Sequence, residues 1–290
     1  MVIRYLCFAK VIFALCASDI YAMRKRYSPS ASDMSCKDVL HSFIGGHYMF
    51  DLTGKTALVT GSTQGIGFAI AKILSEHGAK VYINGATSLE KCIKASEKIP
   101  GSVPVVADVS KTENIDRLYE TTGDVDILIL NASVQCKHPW NGFSEEEYDF
   151  HFDCNVKGCY FLMQKYAPGM MAKKWGRIVT IGSVNQYNNH PELSLYGMTK
   201  AALMKMVENT ASGLAPYGVT INNIAPGAIA TPRNEAVLSD DETYKKVVAK
   251  IPAGFIGEPS DVSPAVLLMC SDEGRYITGS ELIIDGGMHL

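Results

Sequence analysis

Residues Thr56-Ala-Leu-Val-Thr60-Gly61-Ser62-Thr63-Gln-Gly65-Ile66-Gly67-Phe68-Ala-Ile-Ala-Lys-Ile-Leu-Ser-Glu-His77-Gly78 decide the fold. A short apolar run of strand length enters a glycine-rich turn, and the turn opens into an amphipathic helical run, Phe68 to His77, stopped by Gly78. The spacing Gly61-x-x-x-Gly65-x-Gly67 lets the backbone itself approach a ligand where the chain turns toward the helix. Free N–H groups and the helix dipole make that end of a helix favourable for an anion. Glycines serve any tight turn; their place between a strand and a helix is what points to the pyrophosphate of a dinucleotide.

The alternation continues outward from this stretch. Lys80 to Asn84 reads as a second strand and Ser88 to Lys98 as the helix after it, then Val103 to Asp108 as a third strand and Lys111 to Glu120 as a short helix. Val125 to Ser133 is a fourth strand, nearly all apolar as a central parallel strand should be. Helices follow at Ser144 to Asn155 and Lys157 to Met171, a strand at Arg177 to Gly182, and a helix at Ser194 to Ala215. A sixth strand, Val219 to Ala225, is broken by Pro226 and Gly227; a long segment then leads to a helix at Pro259 to Cys270 and a seventh strand at Glu281 to Asp285. Strand and helix alternate without a linker, which predicts an α/β fold: one Rossmann-type, doubly wound parallel sheet of about seven strands with helices on both faces. In such a sheet the end of the second strand meets the adenosine ribose, where an acid suits a free 2′-OH and a base a 2′-phosphate. Gly85, Ala86 and Thr87 carry neither charge, so NAD and NADP both stay open, with a slight lean to NADP because the acid is missing.

Ser183 to Lys200 is the second informative stretch. On a helix Tyr196 and Lys200 stand at i and i+4, so a phenol and an ammonium share one face. A free tyrosine titrates near pH ~10, and a nearby cation favours the phenolate, which suits the pair to proton chemistry. A bare Tyr-x-x-x-Lys is weak evidence, since Tyr21 and Lys25 repeat it in a segment outside the expected fold.

From about Met49 to Leu290 the chain resembles the short-chain dehydrogenase/reductase family at several ordered motifs. The turn Gly61, Ser62, Thr63, Gly65, Ile66, Gly67 resembles its cofactor signature, and Asp108-Val109 its adenine-contacting pair. Asn131-Ala-Ser133 resembles Asn-Ala-Gly, with Ser133 departing from glycine; Asn155-Val-Lys-Gly resembles the segment carrying the family's structural and catalytic asparagine. Ser183 precedes Tyr196 at the family spacing; Pro226, Gly227, Ile229 and Thr231 resemble the nicotinamide-side motif, and Gly279 with Asp285-Gly-Gly the C-terminal signature. The resemblance implies an NAD(P)-dependent oxidoreductase acting on CH–OH groups, with Asn155, Ser183, Tyr196 and Lys200 as the catalytic set and Asn131, Tyr196 and Lys200 also meeting the cofactor. It implies that Tyr196 is general acid/base at the carbinol oxygen, that Lys200 lowers its pKa and binds the nicotinamide ribose, and that Ser183 holds the substrate oxygen. Asn155 is implied to anchor a water linking Lys200 to solvent. The family's sugar and sugar-acid dehydrogenases are the members most resembled, through Ser183 to Lys200 and Ile251 to Pro259. A 3-oxoacyl thioester reductase and a non-catalytic NAD(P)-sensing protein are the alternatives. The amides Asn185, Gln186, Asn188 and Asn189, with His190 and Glu192, suit a polyhydroxylated substrate; Trp140 could stack on a sugar face and Arg233 pair with a carboxylate, or these could be solvated loop residues.

Composition narrows the partners. The 290 residues, 47% of them hydrophobic, carry a net charge of −3, which gives no electrostatic footprint for nucleic acid. The cysteines at 7, 16, 36, 92, 136, 154, 159 and 270 form no Cys-x-x-Cys pair and no zinc spacing, so no metal is expected. They read as reduced thiols of a cytoplasmic protein, with Cys154 and Cys159 as helix packing residues. Residues 1–48 differ in character: the apolar run Val11 to Ala17 is too short to span a bilayer, so no membrane partner is expected. That segment reads as an upstream extension from a misassigned start ahead of Met49, or as an export signal with Ile20-Tyr-Ala22 near its cleavage site. The expected partners are a small-molecule substrate and, as the resemblance implies, further copies of the chain in a dimer or tetramer.

Overall fold

Alternate residues of one short strand serve two different cores. In β1 (Thr56–Val59) Leu58 packs with one buried cluster, and Ala57 and Val59 pack with another. The same division holds in β4 (Ile127–Leu130), where Leu128 and Leu130 join the first cluster and Ile127 and Ile129 the second. Side chains of a strand point alternately to its two faces, so a strand buried on both is apolar throughout. The computed structural model describes residues 49–290, and the expectations for residues 1–48 lie outside the described residues.

The first cluster lies under α3 (Thr112–Thr122), α5 (Gly158–Lys173) and α6 (Ser194–Leu214). The second lies under α1 (Gly65–Glu76), α2 (Leu89–Ser96) and α9 (Pro259–Cys270). The remaining strands are β2 (Lys80–Gly85), β3 (Val103–Val106), β5 (Gly176–Ile181), β6 (Val219–Pro226) and β7 (Glu281–Ile284). They form one sheet in the order β3-β2-β1-β4-β5-β6-β7, parallel at every pairing. The strand order reverses between β1 and β4, and in an open α/β sheet the crevice beyond the carboxyl ends at that point is where ligands bind. The expected doubly wound parallel sheet of seven strands is borne out.

Several boundaries differ from expectation for physical reasons. α1 begins at Gly65 rather than Phe68, so the last two glycines belong to its first turn. β3 and β4 stop at Val106 and Leu130, which leaves Asp108 and Asn131 to Ser133 in loops past the strand ends. α4 (Glu145–Phe152) and α5 are not separate: a π-helical turn, Asp153–Lys157, joins them, and Asn155 sits in it. Such one-turn widenings recur at functional sites. The segment before Glu258 folds as α7 (Glu235–Leu238) and α8 (Asp241–Val248). Asp240 caps α8 by accepting from the Thr243 N–H at 2.8 Å, with Asp241 and Glu242 in its first turn and Lys245 and Lys246 in its last, the charge order the helix dipole favours.

Candidate active site

The turn Gly61 to Gly67 is held open by a neighbouring loop. The Asn131 side-chain amide donates to the carbonyls of Thr60 at 2.8 Å and Gly61 at 3.0 Å, and the Asn131 N–H donates to Thr60 Oγ1 at 3.0 Å. A Cβ on Gly67 would overlap that amide and lie 2.6 Å from the Gly61 carbonyl, so only glycine fits there. Gly61 and Gly65 have φ of +62° and +58°, which favour glycine as well. Gln64 makes no side-chain cap on α1, so the first-turn N–H groups keep donors for an outside anion. Gly61, Thr63, Gly65, Ile66 and Gly67 line one large cleft together with Gly85 and Ala86. Ser62 is turned away from it: its hydroxyl donates to Val59 O at 2.6 Å and accepts from the Asn84 N–H at 3.0 Å, so its part is to fix the turn. An uncapped helix end, a backbone without side chains and an uncharged strand end fit a dinucleotide, its pyrophosphate at α1 and its ribose near Gly85.

Ser183, Tyr196 and Lys200 line the same cleft of about 440 Å³, as do Asn131, Pro226, Gly227, Ile229 and Thr231. β5 ends at Ile181 and delivers Ser183 to the cleft; α6 carries Tyr196 and Lys200 one turn apart. All three side chains are buried. The Lys200 ammonium donates to the Ile181 carbonyl at 2.7 Å and lies 5.4 Å from the Tyr196 ring centroid. Ser183 Oγ accepts from the backbone and side-chain N–H groups of Asn185 at 3.2 and 3.3 Å. With its lone pairs engaged, the hydroxyl offers its own proton to whatever lies in the cleft.

Asn155, Asp108 and Val109 do not line the cleft. The fully buried Asn155 amide donates to Val134 O and to Thr199 Oγ1, both at 3.0 Å, and accepts from the Val134 N–H at 2.8 Å. Thr199 Oγ1 in turn donates to Tyr196 O at 2.8 Å. The side chain of Asn155 therefore ties the loop after β4 to the first turn of α6. Asp108 accepts from the Ser110 N–H and hydroxyl at 3.1 and 2.7 Å, which fixes the loop after β3. Burial pushes the thiols of Cys154 and Cys159 up to about 11 and about 12, as packing residues should be.

At the substrate end the amide-rich run divides. Asn185 and His190 line the cleft, but Gln186 donates to Glu281 at 2.6 Å and Asn188 to Met288 O at 3.3 Å. Trp140 is 79% exposed and off the cleft. Arg233 does line it, yet its guanidinium donates to Ser133 O at 2.7 Å and Ser133 Oγ at 3.1 Å, so the residue that departs from glycine helps hold it. Gln135, Lys137 and Lys250, not singled out in the sequence, also line the cleft; the polar loop after the fourth strand was the available signal for the first two. Among the described residues no cluster of His, Cys, Asp or Glu could hold a metal ion, and no helix is long and apolar enough to cross a membrane.

Residues 61–289 match the family model described as Enoyl-(Acyl carrier protein) reductase. The chain is 36% identical to the 3-oxoacyl-[acyl-carrier-protein] reductase FabG of Haemophilus influenzae over 245 residues, 82% of this chain and 100% of that one. Its fold is similar to that of a protein named as a gluconate dehydrogenase from Agrobacterium tumefaciens (TM-score 0.80, 29% identity, 84% of this chain and 99% of that one). It is also similar to a 3-oxoacyl (acyl-carrier-protein) reductase from Agrobacterium tumefaciens C58 with NADP bound (TM-score 0.78, 32% identity, 82% and 96%). With the parallel sheet, the glycine turn and the Ser183, Tyr196 and Lys200 cleft in view, the chain belongs to the short-chain dehydrogenase/reductase family of NAD(P)-dependent oxidoreductases acting on CH–OH groups.

Proposed function

We propose that the protein interconverts a secondary alcohol and a ketone, or a lactol and a lactone, on a sugar, sugar acid or polyol. The convergence of Ser183, Tyr196 and Lys200 in one buried cleft carries the alcohol–ketone chemistry, and the polar lining of Gln135, Asn185 and His190 supports a sugar as its substrate. When bound, the nicotinamide cofactor supplies the chemistry of hydride acceptance and return. Gly61, Gly65 and Gly67 would hold its pyrophosphate, and Thr63 and Ile66 the adjoining groups, with Asn131 keeping the turn in shape. Pro226, Gly227, Ile229 and Thr231 would bound its nicotinamide half. The uncharged Gly85 and Ala86 leave room for a 2′-phosphate without repelling it, which favours NADP.

Ser183 donates a hydrogen bond to the substrate oxygen, because Asn185 already engages its lone pairs. Tyr196 takes the proton from that oxygen during oxidation and returns it during reduction. The Lys200 ammonium is buried beside the ring, and Asn155 keeps the α6 turn in register through Thr199. Asn185, Gln135 and His190 supply polar groups for a polyhydroxylated substrate. Identity to a 3-oxoacyl-[acyl-carrier-protein] reductase supports a second reading, reduction of a 3-oxoacyl thioester. The basic Lys137 and Lys250 of the cleft suit the phosphate of such a carrier, while the polar Gln135 and Asn185 beside Ser183 and Tyr196 rank it behind the sugar reading.

We further propose that the enzyme works as a dimer or tetramer in the cytoplasm. Tyr160 and Phe161 on α5 and Met198 on α6 are exposed apolar side chains on the helices next to the site. All five described cysteines are free thiols, as a reducing compartment favours. Tyr196→Phe keeps the ring and removes the proton carrier; it is expected to lower kcat by about 10²- to 10⁴-fold while cofactor still binds. Hydride transfer at near wild-type rate in that variant would defeat the mechanism.

A further inference from the structure

The cleft is electrostatically one-sided. Lys137, His190, Lys200, Arg233 and Lys250 line it, and no Asp or Glu does. The chain has more acids than bases, 30 against 27, so composition does not account for this. Two of the cations are engaged within the protein: Lys200 with the Ile181 carbonyl and Arg233 with Ser133. The ammonium groups of Lys137 and Lys250 have no hydrogen-bond or ion-pair partner among the described residues.

These groups converge from separate parts of the chain. Lys137 lies in the loop after β4, His190 in the loop ahead of α6, and Lys250 just past α8. The His138 N–H donates to the Glu192 carbonyl at 3.1 Å and so holds the Lys137 segment against the His190 segment. His190 is held below its ordinary pKa, first by burial and then by the charges of Lys137 and Lys250, with Glu192 opposing. Lys137, His190 and Lys250 all line the one cleft, while the Glu192 carboxylate makes an ion pair with neither lysine among the described residues. The Glu192 N–H donates to His190 Nδ1 at 3.3 Å, which leaves the neutral ring a proton on Nε2 to donate. Cations that converge with Glu192 alone opposing them at His190 repel, and a bound anion relieves that repulsion.

We propose that Lys137, His190 and Lys250 form a subsite for a carboxylate at the mouth of the cleft. The substrate is then a sugar acid, held by its carboxylate at this end and by Ser183 and Tyr196 at the reacting alcohol. This rests on the sugar reading above. A phosphate carried by an acyl thioester presents the same charge, so the test includes it.

Turnover of aldonates is compared with that of polyols of the same carbon chain, in the wild type and in a Lys137→Gln, Lys250→Gln double variant. Cofactor binding, followed by fluorescence, reports that the variant is folded. The expected result is a wild-type kcat/KM for an aldonate at least about tenfold above that for its polyol. The double variant is expected to lose most of that ratio through KM, 0.5 M salt to erode it in the wild type, and the Lys→Arg pair to retain it, as screening of an exposed cation site requires. An unaltered ratio in the double variant, with polyols and aldonates both turned over, overturns the subsite and leaves the sugar reading standing. The thioester arm uses 3-oxoacyl-CoA, which carries phosphate, and the N-acetylcysteamine thioester, which does not. Loss confined to the CoA ester, with no sugar, polyol or aldonate turned over, assigns the cations to phosphate and overturns both readings. Turnover of neither class of sugar compound, with both thioesters affected alike, also overturns both.

Discussion

Tyr196 and Lys200 owe their positions to hydrogen bonds from neighbouring residues. Asn155 holds Thr199, Thr199 holds the Tyr196 carbonyl, and Ile181 receives the Lys200 ammonium. The glycine turn shows the same dependence, since Asn131 occupies the space a side chain on Gly67 would need. Gly67→Ala is therefore expected to weaken cofactor binding by at least about fivefold, the low end of what overpacking costs. Titration of the variant with NADPH checks this, and an affinity equal to the wild type would show the turn to be less tightly packed. That Ser183, Tyr196 and Lys200 share one cleft was legible in the sequence because their spacing on one helix and behind one strand fixes their relation. The roles of Gln186 and Asn188 were not. A run of amides has no periodicity that tells which one reaches Glu281, 95 positions away, and which one lines a cleft.

Elements place these residues by where they end. β5 ends just short of Ser183, and β7 lays Glu281 behind that turn. Glu281 accepts from Asn223 and from Gln186, and Thr180 donates to Asn223 at 2.5 Å, so a polar network backs the Ser183 loop. Burial raises the Glu281 carboxyl above its ordinary value of 4.5, with the Gln186 hydrogen bond opposing. The folded protein thus holds that proton more tightly than the unfolded chain does. Its contribution to stability is complete below the ordinary value and is lost as pH rises through the raised one. Glu281→Gln is expected to flatten the fall in Tm over that window, as read by thermal melts in a pH series; an identical slope in the variant would refute the assignment. Strand and helix alternation was plain in the sequence, as each apolar run was bounded by turn residues. The π-turn at Asp153–Lys157 was not, because a widened helical turn leaves the apolar pattern nearly unchanged. α8 was missed although Asp240 and the charge order that follows it were a signal for it.

For the whole molecule, two cores on opposite faces of one sheet leave a crevice where the strand order reverses, and the site occupies it. The far side of the sheet is fastened by Arg177, which is almost wholly buried. It donates to the carbonyls of Ser271 at 3.1 Å and Gly176 at 2.9 Å and stacks 4.4 Å from the Trp175 ring. Arg177→Ala is expected to cost about 3 kcal/mol of stability, since it strands buried carbonyls. Urea unfolding measures this, and a loss within error of zero would contradict it. Fold and family could be read from the motifs in order, whereas side chains such as Lys137 and Lys250, far apart in the chain, are brought to one cleft only in three dimensions. The most direct measurement is NAD- and NADP-linked turnover by the purified protein across sugars, sugar acids, polyols and 3-oxoacyl thioesters. Oxidation of a sugar, sugar acid or polyol, preferentially with NADP, is the expected result, and turnover confined to the acyl thioesters would contradict the proposed function.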